Sequence, residues 1–238
     1  MQPEVVRTLI DLNNEFYQTF AASFSATRQR LQPGVKRIVD GLPPDANVLD
    51  LGCGNGQLAF ELVEGGFSGS YLGLDSSAAL IKTAAAGTAG NVGFMQRDLS
   101  DEDWDQGLPG APYDIVMCFA TLHHIPGEAL RLALLEKVRG LLLDGGRFIF
   151  STWQLSNSPK LRARIQPWGR VGLSEGDVDE GDYLMDWRRD GEGLRYVHQF
   201  SREELEGLAE KASFEVLESF SSDGATGDLG LYMVWGKG

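Results

Sequence analysis

Three observations predict a doubly wound α/β fold. Strand-like and helix-like runs alternate between residues 47 and 153, and a glycine-rich bend follows the first run directly. An acidic residue also stands at or near the end of each of the first three strands.

The elements follow in order. Val6, Leu9, Ile10, Asn13, Phe16, Tyr17, Phe20 and Phe24 recur at three- and four-residue steps, which predicts a helix lying on an apolar surface. Pro33 opens a second helix through Val35, Ile38 and Val39, and Gly41 to Asp45 breaks it. Strands are predicted over 47–53, 70–75, 92–99, 113–120 and 147–153. Helices fall between them at 57–63, 77–86 and 127–141. Residues 154–199 are rich in Gly, Asp, Arg and Trp with weak periodicity, and read as an insertion over one end of the sheet. Ser201 and Glu204 form a capping box at the start of a last helix. The apolar runs 214–220 and 231–235 flank a Gly/Ser/Asp turn and are predicted to pair as an antiparallel hairpin. The chain is thus expected to be one domain over 1–238. Its parts are N-terminal helices (1–44), a cofactor-binding core (45–153), an insertion acting as a substrate cap (154–199), and a C-terminal helix and hairpin (200–238).

Composition narrows the function. Asp and Glu total 34 against 21 Lys and Arg, a formal net charge of −13, so long-range attraction to a nucleic-acid backbone has the wrong sign. No apolar run approaches the roughly 18 residues of a membrane span, and the N-terminus lacks the pattern of a secretory signal. Two cysteines, Cys53 and Cys118, both in apolar runs, suit a reducing compartment. A cytoplasmic location is expected.

The chemistry gathers at the strand ends. Gly52, Gly54 and Gly56, with Cys53 and Asn55 between them, follow the strand-like run that carries Asp50 and precede a helix. Glycines there let the chain turn sharply and let a ligand approach the backbone, and the helix N-terminus adds N–H donors. The G-x-G-x-x-G spacing of a dinucleotide loop is absent, which argues against a nicotinamide oxidoreductase. Asp75, followed by Ser76, ends the second strand, where a carboxylate can take both ribose hydroxyls of a nucleoside.

An acidic residue leading into G-x-G-x-G resembles motif one of the class I S-adenosylmethionine-dependent methyltransferases. The resemblance implies a Rossmann-like, seven-stranded, mostly parallel sheet with an antiparallel C-terminal strand and helices on both faces. It implies S-adenosyl-L-methionine as cofactor, with Asp98 accepting from the adenine amino group and Leu99 beside the base. Residues Phe119 to Ile125 would then lie near the methyl group. His123 reads equally as a packing or hydrogen-bonding residue under the cofactor and as a contact to it, and is a less favoured candidate for catalysis as a general base. The adjacent pair His123-His124 is not completed into a zinc site by any further Cys or His cluster, so no metal is expected.

A closer resemblance, to the tRNA wobble-uridine carboxymethyl methyltransferases, rests on three segments. Phe16-Tyr17 with Phe24 to Arg28 is similar to that family's entry segment, which implies that Tyr17 and Arg28 lie near the methionine part of the cofactor. Gly181 to Trp187 is similar to its Gly-Asp…Pro-Trp stretch, and Arg195 to His198 to its Arg-Tyr-Tyr-His stretch. Carried over, Arg195 and His198 would face the acceptor. The departures are Asp186 for the Pro, Val197 for the second Tyr, and the acidic net charge. The resemblance implies O-methylation of a carboxylate or similar oxygen on a modified tRNA and allows an activator subunit, while the basic residues Lys160, Arg162, Arg164 and Arg170 would also suit an anionic small molecule as acceptor. The alternatives are a small-molecule methyltransferase and a non-catalytic cofactor-binding partner subunit.

Overall fold

A computed structural model describes residues 1–27, 29–87 and 90–238. The predicted alternation is realised as β1 (Asn47–Leu51), α4 (Gln57–Glu64), β2 (Ser70–Asp75), α5 (Ala78–Gly87), β3 (Val92–Gln96), β4 (Tyr113–Phe119), α6 (Glu128–Leu141) and β5 (Leu142–Trp153). Ahead of them stand α1 (Pro3–Thr19), α2 (Ala21–Ser25) and α3 (Pro33–Val39). After α8 (Arg202–Lys211), β9 (Glu215–Ser222) and β10 (Gly230–Gly236) form the expected hairpin. The seven strands lie in the order β3-β2-β1-β4-β5-β10-β9, with β1 to β5 parallel and β10 antiparallel to both neighbours. The chain winds outward from β1 to β3 and then resumes on the other side with β4. The order therefore reverses between β1 and β4, where open α/β sheets bind ligands at the carboxyl ends of the strands.

Both faces of the sheet are covered. Leu134, Leu135 and Val138 of α6 and Leu205, Leu208 and Ala209 of α8 pack on one face with Phe148, Phe150 and Trp235. Val35 of α3 and Leu58, Ala59 and Leu62 of α4 close the other against Val48, Ile115 and Met117. Helices on both faces leave no solvated side for polar alternation, so the central strands read as continuous apolar runs.

Several elements depart from the sequence reading. The first helical stripe is broken at Phe20 (φ −105°, ψ 17°), where the chain turns so that Phe24 meets the Tyr17 ring edge-on. β3 stops at Gln96 rather than Leu99, because Asp98 Oδ1 accepts from the Ser100 amide and hydroxyl and makes a local turn. β5 begins five residues early, at Leu142, with an irregularity in its pairing to β4.

Residues 154–199 hold α7 (Pro159–Arg162) and a second, antiparallel sheet of β6 (Ile165–Gln166), β7 (Asp182–Trp187) and β8 (Gly193–His198). Strands β7 and β8 are buried on both faces over most of their length, so they carry no alternation to read. Asn13 of α1 ties this sheet down. Its carbonyl accepts from the Tyr196 amide at 2.8 Å, and its amide donates to the Tyr196 and His124 carbonyls.

The last helix keeps half of its capping box. Ser201 Oγ accepts from the Glu204 amide at 3.0 Å, but the Glu204 carboxylate turns to His198 and Arg131.

Candidate functional site

At the carboxyl ends of β1, β2 and β4 the structure holds a cavity of about 590 Å³. The bend after β1 forms its floor. Gly52, Gly54 and Gly56 all have positive φ (78°, 56° and 78°), a region that costs a residue with a Cβ roughly 1–2 kcal/mol. Their surroundings differ. A Cβ on Gly52 would meet the Thr121 side chain at 2.1 Å, whereas one on Gly54 would project into open space with nothing within 4 Å. Gly56 is a packing residue rather than part of the lining, since a Cβ there would meet Ala84 of α5 at 2.8 Å.

Asp75 closes the floor. Its Oδ2 accepts from the Gly54 amide at 3.0 Å and its Oδ1 from the Ser77 amide at 2.9 Å. Burial raises its pKa above the usual carboxylate value, and the two amides partly offset that. Behind it Asp50 is buried, with the Tyr71 hydroxyl donating to it. Burial pushes Asp50 up to about 7, the Tyr71 bond opposes the rise, and the Asp75 charge adds to it. Burial likewise lifts the Cys53 thiol well above its ordinary range, so it stays protonated and unreactive. Asn55 donates to Ser25 Oγ at 3.0 Å and links the bend to α2. Further along the wall come Ser76, Asp98, Leu99 and Phe119. Asp98 Oδ2 accepts from Asn14 Nδ2 at 2.6 Å.

The opposite end is built by α1, β5 and the second sheet. Arg195 lies there at 4% exposure among aromatic rings, its guanidinium carbon 4.8 Å from the Trp153 centroid, 5.1 Å from Phe16 and 5.7 Å from Trp187. Nη1 donates to the Tyr17 hydroxyl at 3.4 Å, and Nε finds no hydrogen-bond partner among the described residues. No carboxylate among them pairs with Arg195. Lys160, Arg164 and Arg189 line the same cavity.

The cavity thus brings together most of the residues picked from the sequence: Tyr17, Asp50, Gly52 to Asn55, Asp75, Ser76, Asp98, Leu99, Phe119 and Arg195. Arg28 lies outside the described residues.

The two other candidates for catalysis are placed elsewhere. His123 is fully buried behind the lining, its ring 4.9 Å from Trp153 and 4.4 Å from His124. His198 does not line the cavity. It is held between Asp182 (Nδ1, 2.7 Å) and Glu204 (Nε2, 2.9 Å). Side chains alternate along a strand, so residues 195 and 198 of β8 point to opposite faces. Around His198 a buried network joins Arg131, Asp182, Tyr196 and Glu204. Burial lowers the His198 pKa, but the bonds to Asp182 and Glu204 outweigh it and the net shift is upward.

Sequence reasoning missed Trp153 and Trp187 as cavity residues, and placed His124 near the cavity only as part of the stretch Phe119 to Ile125. Trp153 ends β5 on the same carboxyl edge as the recognised strand tips, so its position was readable. His124 was distinguishable from His123 only by the turn Leu122–His124, which places it in the lining with Nε2 2.7 Å from the Tyr17 hydroxyl and Nδ1 2.9 Å from the Tyr196 carbonyl oxygen.

A methyltransferase domain family model matches residues 24–219. The chain is 28% identical over 227 residues to a tRNA (carboxymethyluridine(34)-5-O)-methyltransferase of Schizosaccharomyces pombe, covering 88% of this chain and 92% of that one. Its fold is similar to that of a SAM-dependent methyltransferase from Methanosarcina mazei, with a TM-score of 0.65 at 22% identity over 87% and 98% of the two chains. It is also similar to a structure described as a complex of the Haloferax volcanii Trm112 methyltransferase activator with a methyltransferase (TM-score 0.64, 18% identity, 96% and 97% covered). The doubly wound sheet sets its glycine bend and acidic strand tips at the switch point, where open α/β sheets bind nucleotides. The chain belongs to the methyltransferase domain family and is an S-adenosylmethionine-dependent methyltransferase. No helix among the described residues is long and apolar enough to cross a membrane.

Proposed function

We propose that this enzyme transfers a methyl group to a carboxylate oxygen of an anionic acceptor. The observation that carries the reading is Arg195, a buried guanidinium without a carboxylate partner among the described residues, in the wall of the cavity whose floor is the glycine bend. A buried cation is costly unless paired. Here the aromatic faces of Phe16, Trp153 and Trp187 offset part of that cost, and an acceptor carboxylate supplies the rest.

The residues fit the cofactor. The open space over Gly54 admits a ligand against the backbone, Asp75 stands where ribose hydroxyls would donate, and Asp98 and Leu99, in the same lining, would border the adenine. Tyr17, Asn55 and Phe119 line the same cavity as Arg195. S-adenosylmethionine supplies a methyl that its sulfonium already makes electrophilic. Arg195 orients the incoming carboxylate, and the aromatic walls exclude water from the transfer, so the acceleration is chiefly one of orientation. A carboxylate is ionised at neutral pH and needs no strong base. This agrees with the placement of His123 and His198 away from the cavity. Residues 154–199 act in this reading as the acceptor-binding cap.

The name of the S. pombe relative supports a carboxymethylated wobble uridine in tRNA as the acceptor, and Lys160, Arg164 and Arg189 supply local positive charge for it. The net charge of −13 supports a small anionic acid instead. One assay separates them. Methyl-labelled cofactor is incubated with the protein, with and without an added Trm112 activator, on carboxymethylated tRNA and on a fraction of small organic acids. A methyl ester is released by mild alkali, so alkali-labile label in either pool supports the carboxylate reading and names the pool. Label that survives alkali, or no transfer to either pool, overturns it.

A further inference from the structure

We infer that His124 sets the proton of Tyr17 so that the Tyr17 oxygen faces the cavity as a hydrogen-bond acceptor, matched to the positive charge of the donor sulfur. The inference rests on the cofactor placement proposed above and extends it to two residues whose joint role lies outside that reading.

For a neutral His124 ring, the contacts among the described residues fix the direction of the bond to Tyr17. His124 Nδ1 lies 2.9 Å from the Tyr196 carbonyl oxygen, which can only accept, so Nδ1 carries the ring proton. In the neutral imidazole Nε2 is then an acceptor. It lies 2.7 Å from the Tyr17 hydroxyl, whose single proton therefore points at His124. The remaining face of the Tyr17 oxygen offers lone pairs. One of them meets Arg195 Nη1 at 3.4 Å, a contact of the same polarity, donor toward Tyr17.

Both anchors are rigid. The Tyr196 backbone is clamped by Asn13 through its amide and carbonyl, and its side chain is held by Arg131 and Asp182. The His124 ring packs between Tyr17 and His123.

Position gives this polarity its use. The Tyr17 backbone carbonyl lies 3.5 Å from Ser77 Oγ, and the Ser77 amide bonds Asp75, so one end of Tyr17 abuts the ribose end of the cavity. Its hydroxyl reaches Arg195 at the acceptor end. A group bound between the two ends carries the sulfur past this oxygen. An oxygen fixed as acceptor attracts a sulfonium and offers nothing to the neutral thioether left after transfer. Tyr17 in this arrangement favours the charged donor over the spent product, and His124 is the positioning residue that maintains it.

Two measurements test this without turnover. Calorimetry gives the dissociation constants of S-adenosylmethionine and S-adenosylhomocysteine for the wild type, Tyr17→Phe, His124→Phe and His124→Gln. The preference for the methylated form is expected to fall about tenfold in Tyr17→Phe, a change of about 1.4 kcal/mol. It is expected to fall similarly in His124→Phe, where the hydroxyl is released to rotate, and to persist in His124→Gln, whose side-chain oxygen can accept the same proton. The ratio compares two ligands on one protein, so a general loss of stability cancels. An unchanged ratio in Tyr17→Phe or in His124→Phe overturns the inference. Nitrogen-15 shifts of the His124 ring in the wild type give the second readout, with a protonated Nδ1 expected and a protonated Nε2 overturning it. If the wild type binds neither ligand, the failure lies with the cofactor placement itself.

Discussion

Arg195 and His198 stand three residues apart on β8 and serve opposite faces of it, one in the cavity wall and the other in a buried ion network behind it. The two cations therefore answer to different tests.

Arg195→Met keeps the bulk of the side chain and removes its charge. Truncating one partner of a buried charge pair costs about 2–5 kcal/mol, so acceptor kcat/KM is expected to fall about 30-fold or more. Cofactor affinity should change little. Because the guanidinium is buried without a carboxylate partner, the thermal midpoint of the ligand-free protein is expected to hold or rise. A fall in stability with acceptor kinetics intact would make Arg195 structural.

His198 governs stability through pH. Its folded pKa is raised, so it contributes stability that is fully present below the unfolded value of about 6.5 and is lost as pH rises through the folded value. Urea unfolding of the wild type and His198→Gln is expected to show a gap at pH 6 that narrows towards alkaline pH. A gap that widens with pH would contradict the Asp182–His198–Glu204 arrangement.

Asp50 runs the same linkage from a carboxylate. Its folded pKa of about 7 lies above the ordinary carboxylate value of 3.8, so its ionisation weighs against the fold as pH rises between those values. Asp50→Asn, which can still accept from Tyr71, is expected to raise the melting temperature at pH 8 and to lose that advantage as pH falls toward 4. Differential scanning calorimetry at both ends reads it directly.

The glycines of the bend separate folding from binding. Gly52→Ala drives a Cβ into Thr121 at 2.1 Å in addition to its backbone strain, and should lower stability by more than ~2 kcal/mol. Gly54→Ala carries only the strain, roughly 1–2 kcal/mol, but places its methyl in the cavity. It is expected to weaken S-adenosylmethionine binding at least tenfold in a protein that still folds. Chemical denaturation and calorimetry on the two variants check the contrast.

Much of this molecule is written locally. The parallel core, the glycine bend and the acidic strand tips follow from runs of apolar residues broken by Gly and Asp, because backbone conformation and strand burial depend on residues close in sequence. That is why the positions of Gly54, Asp75 and Asp98 could be read before any coordinates. The acceptor end could not be read in that way. Arg195 meets Trp153, Phe16 and Tyr17 across separations of 42 to 179 residues, and β7 and β8, buried on both faces, carry no alternation to mark which side chains face the cavity. The same holds for His123 and His124, adjacent in the chain, where a single turn decides which ring is walled in and which reaches Tyr17. The sequence by itself determined the cofactor-binding frame. Only the tertiary structure decided which cation stands in the cavity wall, because that depends on contacts between distant segments that no local pattern records.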